Sequence, residues 1–260
     1  AWEQVQMINL FLRHQKSPRT LFLGIDHVWC NEAADVYRTT TIRGFPDWLW
    51  DDNRWNDLAY MYNTRSIEIA GRRLAAAVTG KKPRLAEDGY EVFTPPESAW
   101  DREKVLAKIY GTKAKDHLVP LVPPETATAE ERARWRFPAL AWLEQVLDSG
   151  RWERIVLAWP PVHIAGMERV GTMASLKEAE CKRRVSEITA KRGVPVLDFR
   201  YPSDITRKDE NFWDYLHFRV PIAERVQRGV AAGLATGKDD PAGDYKVLTA
   251  GRSIGKVPVQ

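Results

Sequence analysis

Short, mainly apolar segments alternate with amphipathic helices along this chain, and this alternation constrains the fold more than any other feature. The segments are TLFLGID (20–26), RIVLAWPPVH (154–163) and VPVLDF (194–199). A strand that is apolar on both sides of its pleat is covered on both faces, as in parallel sheets with crossover helices. We therefore predict an α/β fold: a three-layer α/β/α sandwich with a mainly parallel sheet and an irregular insertion.

Apolar residues at helical spacing flank and separate these segments. Residues 128–149 begin with Thr128 and carry Glu131 three positions later, a capping box that marks the start of a helix. Pro138 is expected to kink this helix, because proline removes a backbone hydrogen bond. Helices are predicted at residues 2–14, 58–79, 98–110, 128–149, 166–193 and 220–235.

The 260 residues are enough for one large domain with a substantial core. We predict that residues 1–236 form a single domain, with residues 81–127 as an irregular insertion over the sheet. Residues 27–57 show no clean periodicity and contain four of the 11 tryptophans, so they are predicted to be a long aromatic loop, a kind of segment that is commonly functional. Residues 237–260 are rich in Gly and Pro and are predicted to be an extended tail.

The charge pattern argues against several classes of partner. The formal net charge is +4, but Lys and Arg alternate with Asp and Glu almost everywhere. Nucleic-acid binding needs a concentrated basic stripe, and the sequence has none, so no nucleic-acid partner is predicted. The sequence also lacks a Gly-rich phosphate loop of the Rossmann or Walker type, and no cofactor is predicted.

The two cysteines, Cys30 and Cys181, are too few for a disulfide scaffold. They are either one bridge in an oxidising compartment or two unrelated buried thiols, and the sequence leaves both readings open. A bridge would join the loop after the first predicted strand to the helix after the second. It would indicate a periplasmic or cell-surface protein.

Chemically active side chains fall at the predicted carboxyl ends of the strands, where an open α/β sheet places its ligand site. Gly24 and Asp26 end the first strand, His163 follows the second, and Asp214 and His217 lie beyond the third. This convergence is more informative than any one of the motifs.

Asp214 and His217 are three residues apart at the lead-in to a helix, so one turn can bring the carboxylate to the imidazole. Such a carboxylate fixes the tautomer of the ring and stabilises the imidazolium that forms when the other nitrogen takes a proton. A serine nucleophile needs this from its base. The alternative is a structural pair that caps the start of the helix.

The block NFWDYLHFRVPIAERV (211–226) resembles the last block of the SGNH (GDSL-like) hydrolase superfamily, an Asp-x-x-His before the final helix. It is especially similar to the branch related to alginate-type polysaccharide O-acetyltransferases. In that branch, a strand ending like LGID, a strand ending like PPVH and a WD-x-x-HFR block occur in this order. The resemblance implies that His217 is the general base and that Asp214 is its orienting carboxylate.

The resemblance also implies further site residues. It places an oxyanion-hole position at the turn Gly24–Asp26, where the family has an asparagine and this chain has Gly-Ile-Asp. Asn31 is an alternative for that position. His163 is a candidate substrate contact in the pocket, with a surface loop position as the alternative.

The nucleophile departs from the family pattern. The family's serine lies in a Gly-Asp-Ser-like block after the first strand, and no serine here follows a strand in a tight Gly-rich turn. Because the chain opens within a predicted helix, we expect the serine-bearing segment to precede Ala1. The alternative is a catalytically inactive carbohydrate-binding or assembly protein on the same scaffold.

The resemblance implies a carbohydrate or acyl-ester substrate and a periplasmic or extracellular location, and it leaves room for a membrane anchor upstream of Ala1. The tryptophans of residues 27–57 would offer faces for stacking on sugar rings. Metal binding is a rival hypothesis, but the sequence has neither an H-x-x-x-H nor an H-x-H pairing, and no metal site is predicted. Residues of metal-binding types near the strand ends are Asp26, His27, His163, Asp214 and His217.

Overall fold

The computed structural model describes residues 1–36, 50–80, 94–111 and 118–251. The chain divides into two compact units, one formed by residues 1–38 together with 97–260 and the other by residues 39–96. The described residues contain eight α-helices and one four-stranded sheet. The predicted α/β class is therefore confirmed.

The first unit contains the sheet and six of the helices. Its strands are β1 (Thr20–Gly24), β2 (Arg154–Trp159), β3 (Val196–Asp198) and β4 (Lys246–Thr249). Its helices are α1 (Trp2–His14), α4 (Arg102–Tyr110), α5 (Ala129–Arg134), α6 (Ala139–Asp148), α7 (Met173–Arg192) and α8 (Val220–Thr236). The second unit contains α2 (Arg54–Met61) and α3 (Thr64–Thr79).

The strand order in the sheet is β1-β2-β3-β4. The first three strands are parallel, and β4 runs antiparallel to β3. Gly24 lies opposite Ala158, and Trp159 lies opposite Asp198. The carboxyl ends of the three parallel strands therefore meet at one edge of the sheet, where ligands bind in open α/β folds.

Alternate residues of the strands enter two different apolar clusters, as the pleat requires. Leu21, Leu23, Leu157, Trp159 and Val196 pack with buried side chains of α1, α6 and α7. The intervening residues Val156, Leu197 and Phe199 pack with Tyr245 and with Val226, Val230 and Leu234 of α8. Both sets of strand residues are therefore covered by helices, which explains why β2 and β3 are mainly apolar on both sides. In β1, Phe22 on the second side is 54% exposed.

Glycines allow α8 to approach the sheet closely. An added Cβ at Gly229 would lie 2.9 Å from the ring of Phe199, and one at Gly233 would overlap the side chain of Leu197. Any larger residue at these two positions would force the ring of Phe199 or the side chain of Leu197 to shift.

The structure corrects the predicted helix at residues 128–149. Instead of one kinked helix it has two, because α5 ends at Arg134 and Pro138 is the N-cap of α6. Proline has no amide hydrogen to continue the first helix, and its fixed φ suits the start of the second. The capping box of Thr128 and Glu131 is present as predicted.

The predicted extended tail contains a strand. Residues 246–249 form β4 on the edge of the sheet, and the preceding Tyr245 is buried. The remaining residues of the tail, 252–260, lie outside the described part of the chain.

The predicted aromatic loop and the predicted insertion lie partly outside the described residues, at 37–49, 81–93 and 112–117. Within the loop prediction, the structure has a 3-10 turn at His27–Cys30 and the start of α2. Within the insertion prediction, α4 packs Val105 and Ile109 against Phe212. Residues 97–127 therefore belong to the first unit rather than standing apart from it.

Cys30 and Cys181 are joined by a disulfide, with their Cα atoms 5.6 Å apart. The bond links the 3-10 turn after β1 to the middle of α7, and the side chain of Cys181 is fully buried. Within the described residues, no helix is both long enough and apolar enough to cross a membrane.

Candidate active site

Asp214 and His217 lie at the tip of a small hairpin formed by residues 211–219. Phe212 and Phe218 form an antiparallel bridge across it. The backbone N–H of Trp213 donates to the carbonyl of His217 at 2.8 Å, and the N–H of Arg219 donates to Asn211 at 2.9 Å. These bonds fix the backbone of the tip, and we call residues 211–219 the site hairpin.

The carboxylate of Asp214 organises the tip. Its Oδ1 accepts hydrogen bonds from the backbone N–H of Leu216 at 2.8 Å and of His217 at 2.9 Å. The ring Nδ1 of His217 lies 3.0 Å from Oδ1 and 2.9 Å from Oδ2. A carboxylate placed in this way holds both the turn and the orientation of the imidazole.

These contacts favour the ionised form of Asp214. Partial burial opposes ionisation, but the hydrogen bonds from the His217 ring and from two backbone amides outweigh it and lower the pKa of Asp214. A carboxylate only accepts, so the proton of a neutral His217 ring lies on Nδ1. The lone pair of Nε2 then faces away from Asp214, and the side chain of His217 is 56% exposed.

Arg219 anchors the base of the site hairpin. Its Nε donates to Glu97 at 2.7 Å, and its guanidinium lies 5.0 Å from the centroid of the Trp100 ring. The indole N–H of Trp100 donates to the carbonyl of Phe212 at 3.0 Å. Residues near position 100 therefore hold a hairpin that is more than a hundred positions away in sequence.

The structure places His163 inside the protein, not in a pocket or on a surface loop as the sequence analysis proposed. Its side chain is fully buried, between the rings of Tyr110 and Phe212. Nδ1 accepts a hydrogen bond from the backbone N–H of Ala165 at 3.1 Å. Nε2 lies 3.1 Å from Asp209 Oδ1, but the angle is not that of a hydrogen bond. The ring is closed to a substrate.

Burial also sets the charge of His163. Desolvation lowers the pKa of the imidazole, and the nearby Asp209 carboxylate offsets only part of this effect. Asp209 in turn accepts a hydrogen bond from the Tyr110 hydroxyl at 2.7 Å. His163 is therefore a neutral core residue whose position supports the segment after β2.

That segment holds the tip of the site hairpin. The backbone N–H of His163 donates to the carbonyl of Tyr215 at 3.0 Å. A Cβ added at Gly166 would lie 2.9 Å from the same carbonyl oxygen. The Asp214–His217 pair is thus held next to the loop that leaves the carboxyl end of β2.

The predicted oxyanion-hole residues lie at the end of β1, and their observed contacts are structural. Gly24 pairs with Ala158 in the sheet, and its carbonyl accepts from the Gln4 side chain at 3.3 Å. Asp26 caps the following 3-10 turn by accepting from the N–H of Val28 at 3.0 Å. Asn31 makes a similar local bond to the N–H of Ala33 at 2.9 Å.

The supporting residues Glu97, Trp100, Tyr110 and Asp209 were not identified from the sequence. Their partners lie far along the chain, so no local spacing marks them. Within the described residues, no cluster of three or more His, Cys, Asp or Glu side chains is placed to bind a metal ion.

No hydrogen bond in the described part of the chain joins a serine to His217. Ser98 lies in the 3-10 turn Glu97–Ala99, next to the Glu97 that binds Arg219. Ser175 and Ser186 lie on α7, and Ser149 is the C-cap of α6. Ser203 is buried in a turn with Thr206. The described contacts bring none of these hydroxyls to His217.

Three comparisons with known proteins bear on identity. Neither protein-family models, nor curated proteins, nor solved structures give a match to this chain. The geometry of the site hairpin therefore carries the functional proposal.

Proposed function

We propose that this chain is the acid–base part of an SGNH-like esterase or O-acyltransferase that acts on an exported carbohydrate. The observation that carries the proposal is the orientation of His217 by Asp214. The ring is held through Nδ1, and the side chain is 56% exposed at the tip of the hairpin. This is the arrangement that activates a serine hydroxyl for acyl transfer.

The chemistry follows from the two nitrogens of the ring. Nε2 of His217 takes the proton of the nucleophilic hydroxyl as its oxygen attacks the acyl carbonyl, and Asp214 stabilises the imidazolium that forms. The imidazolium then gives its proton to the departing alcohol oxygen, leaving an acyl-serine. Water releases the acyl group in an esterase, whereas a sugar hydroxyl takes it in a transferase. In this proposal the serine is supplied from outside this chain.

The finer architecture is part of the same proposal. We infer a three-layer α/β/α sandwich of the SGNH type, with α1, α6 and α7 on one face of the sheet and α8 on the other. The two apolar clusters support this inference, because alternate strand residues pack with these two sets of helices. The disulfide supports export, since such bonds persist in oxidising compartments.

A second candidate is a catalytically inactive carbohydrate-binding or assembly protein on the same scaffold. One observation favours it: the contacts of the described residues bring no serine to His217. In that case Asp214 would serve only to cap the tip of the site hairpin.

Hydrolysis of p-nitrophenyl acetate by the full-length protein tests the enzyme proposal. His217→Ala should lower kcat by roughly a hundredfold or more, since general bases contribute 10²–10⁴. His14→Ala, which removes an exposed histidine from the end of α1, is the matched control and should leave the rate unchanged. Equal rates for the wild type and His217→Ala would remove His217 from the mechanism.

A fluorophosphonate probe separates the two candidates. It labels an activated serine covalently, so the enzyme should be labelled in the wild type and much more slowly in His217→Ala. The inactive candidate predicts no labelling of either protein. Peptide mapping of the labelled protein would identify the serine.

A further inference from the structure

A pocket of about 160 Å³ lies at the carboxyl ends of β2 and β3. Its walls come from the loop after β2, from the first turns of α7 and from the residues after β3. Its apolar lining consists of Ile164, Met167, Val170, Ala179 and Pro202. This is the edge of the sheet at which open α/β folds bind ligands.

Four charged side chains are buried together beside this pocket. Lys182 Nζ donates to Asp198 at 2.8 Å and lies 3.8 Å from Glu178, and Arg200 Nε lies 3.3 Å from the same Glu178 oxygen. The side chains of Lys182 and Glu178 are 14% exposed, and those of Asp198 and Arg200 are 6% and 4% exposed. Burying charges is costly, so a cluster of this kind beside a cavity marks a candidate ligand site.

Arg200 has hydrogen-bond donors to spare. Its Nε is buried without a hydrogen-bond partner, and no acceptor among the described residues takes a hydrogen bond from its guanidinium. The side chain lines the pocket. Since an arginine fork carries five N–H donors, a ligand oxygen in the pocket would satisfy donors that the protein leaves open.

The charges of the cluster select the kind of ligand. Lys182 and Arg200 balance Asp198 and Glu178, so the cluster is neutral when all four groups are ionised. Burial raises the pKa of the Asp198 carboxyl, and the ion pair with Lys182 offsets part of this effect. While that ion pair holds, an anionic ligand would add an uncompensated buried charge, which is costly. Arg200 offers hydrogen-bond donors next to the acceptor oxygens of Glu178. Two neighbouring hydroxyls match this pair, because one can accept from Arg200 while the other donates to Glu178.

The size and lining of the pocket select the rest of the ligand. A cavity of about 150 Å³ admits benzene, so this pocket has room for a single six-membered ring. We propose that it binds an uncharged ring with two vicinal hydroxyls, with those hydroxyls on Arg200 and Glu178 and the ring carbons against the apolar lining.

The pocket adjoins the candidate active site through one short segment. Ile164 and Met167 face the pocket, while Gly166 between them contacts Tyr215 at the tip of the site hairpin. We identify the ring as a sugar unit of the substrate; this identification rests on the proposed function, whereas the preference for an uncharged diol does not.

Binding of small ring probes to the full chain tests the pocket. Ligand-observed NMR would compare trans- and cis-1,2-cyclohexanediol with cyclohexanol and cyclohexanecarboxylate. At least one diol should bind roughly tenfold more tightly than cyclohexanol, because it makes a second charge-assisted hydrogen bond. A methyl pyranoside with vicinal hydroxyls should compete with that diol.

Three variants locate the binding. Arg200→Lys keeps the charge but removes the fork and should weaken diol binding roughly tenfold. Ala179→Leu fills the pocket while keeping all four charged side chains, and it should also weaken diol binding. Glu153→Gln, at an exposed position before the amino end of β2, is the matched control and should bind the diol as the wild type does.

The outcomes separate this proposal from the proposed function. Diol binding that is lost in Ala179→Leu supports the pocket even if His217→Ala hydrolyses p-nitrophenyl acetate at the wild-type rate. No diol binding, tighter binding of cyclohexanecarboxylate, or equal diol binding by the wild type and Ala179→Leu would overturn the pocket assignment, whatever the esterase assay gives.

Discussion

Loss of the Cys30–Cys181 disulfide should destabilise the protein strongly. The two cysteines are 151 positions apart, and the loop that they close contains the whole of the second unit, residues 39–96. In the chain-entropy model, a loop of this length stabilises the fold by about 5 kcal/mol at 25 °C through the unfolded state. Measured values are commonly 2–4 kcal/mol, so we expect a loss of about 3 kcal/mol.

Two perturbations measure this loss independently. Reduction of the wild type opens the bond and leaves both sulfurs in the core, whereas Cys30→Ala or Cys181→Ala also removes a sulfur. Cys181 is fully buried and Cys30 is not. The Cys181 variant should therefore be somewhat less stable than the reduced wild type, and the Cys30 variant should be close to it.

Urea unfolding followed by tryptophan fluorescence gives the magnitude. With a slope of about 3 kcal/mol per M, a loss of about 3 kcal/mol lowers the midpoint by roughly 1 M. Reductant should have no further effect on either variant. The reasoning fails if reduction leaves the wild-type midpoint unchanged, or if the intact mass shows that the oxidised protein is not lighter by two hydrogen atoms.

Three further predictions concern packing and charge. Gly233→Ala should lower the free energy of unfolding, measured in urea, by about 2 kcal/mol, because its Cβ would overlap Leu197. Gly71→Ala, in an open position on a helix, is the control and should cost nothing. Hydrogen bonds from two arginines lower the pKa of Glu180 to about 2. The carboxylate's contribution to stability is therefore complete above its unfolded pKa and is lost as pH falls through about 2. Glu180→Gln should reduce the acid sensitivity of Tm and cost about 1 kcal/mol at pH 7 after solvent screening. Arg219→Lys should lower labelling by the fluorophosphonate probe several-fold without unfolding the protein, because a lysine cannot replace the paired bonds of the fork; unchanged labelling would show that the anchor does not position the hairpin.

The parallel part of the sheet could be predicted from the sequence because its strands are apolar on both faces. β2 and β3 place their alternate residues in two separate clusters, as strands covered by helices on both sides do. In β1 only Leu21 and Leu23 are buried, and Phe22 between them is 54% exposed. The strand β4 could not be predicted in the same way. Its residues KVLT are only partly buried, and they follow a stretch rich in Gly, Pro and Asp that is typical of a turn.

The role of His163 could not be predicted from its neighbours in sequence. The position after a strand and a double proline is typical of an exposed loop, but Tyr110 and Phe212 enclose the ring from distant parts of the chain. The hydrogen bond from the N–H of Ala165 to Nδ1 is local, but it does not show whether the ring is buried. Long-range packing decides whether a histidine at a strand end is a ligand contact or part of the core.

The Asp214–His217 geometry was accessible to sequence reasoning because all of its bonds lie within three positions of Asp214. Because these bonds are all local, the sequence is compatible with both a structural and a catalytic role for the pair. The two roles depend on different bonds. A cap needs only the backbone N–H groups of Leu216 and His217. Any residue except proline at position 217 would provide the second of these groups. The bond to the imidazole adds nothing that a cap requires, yet it fixes the tautomer that leaves Nε2 free to take a proton. A residue that is dispensable for the turn but held in the reactive tautomer favours chemistry at the tip of the site hairpin.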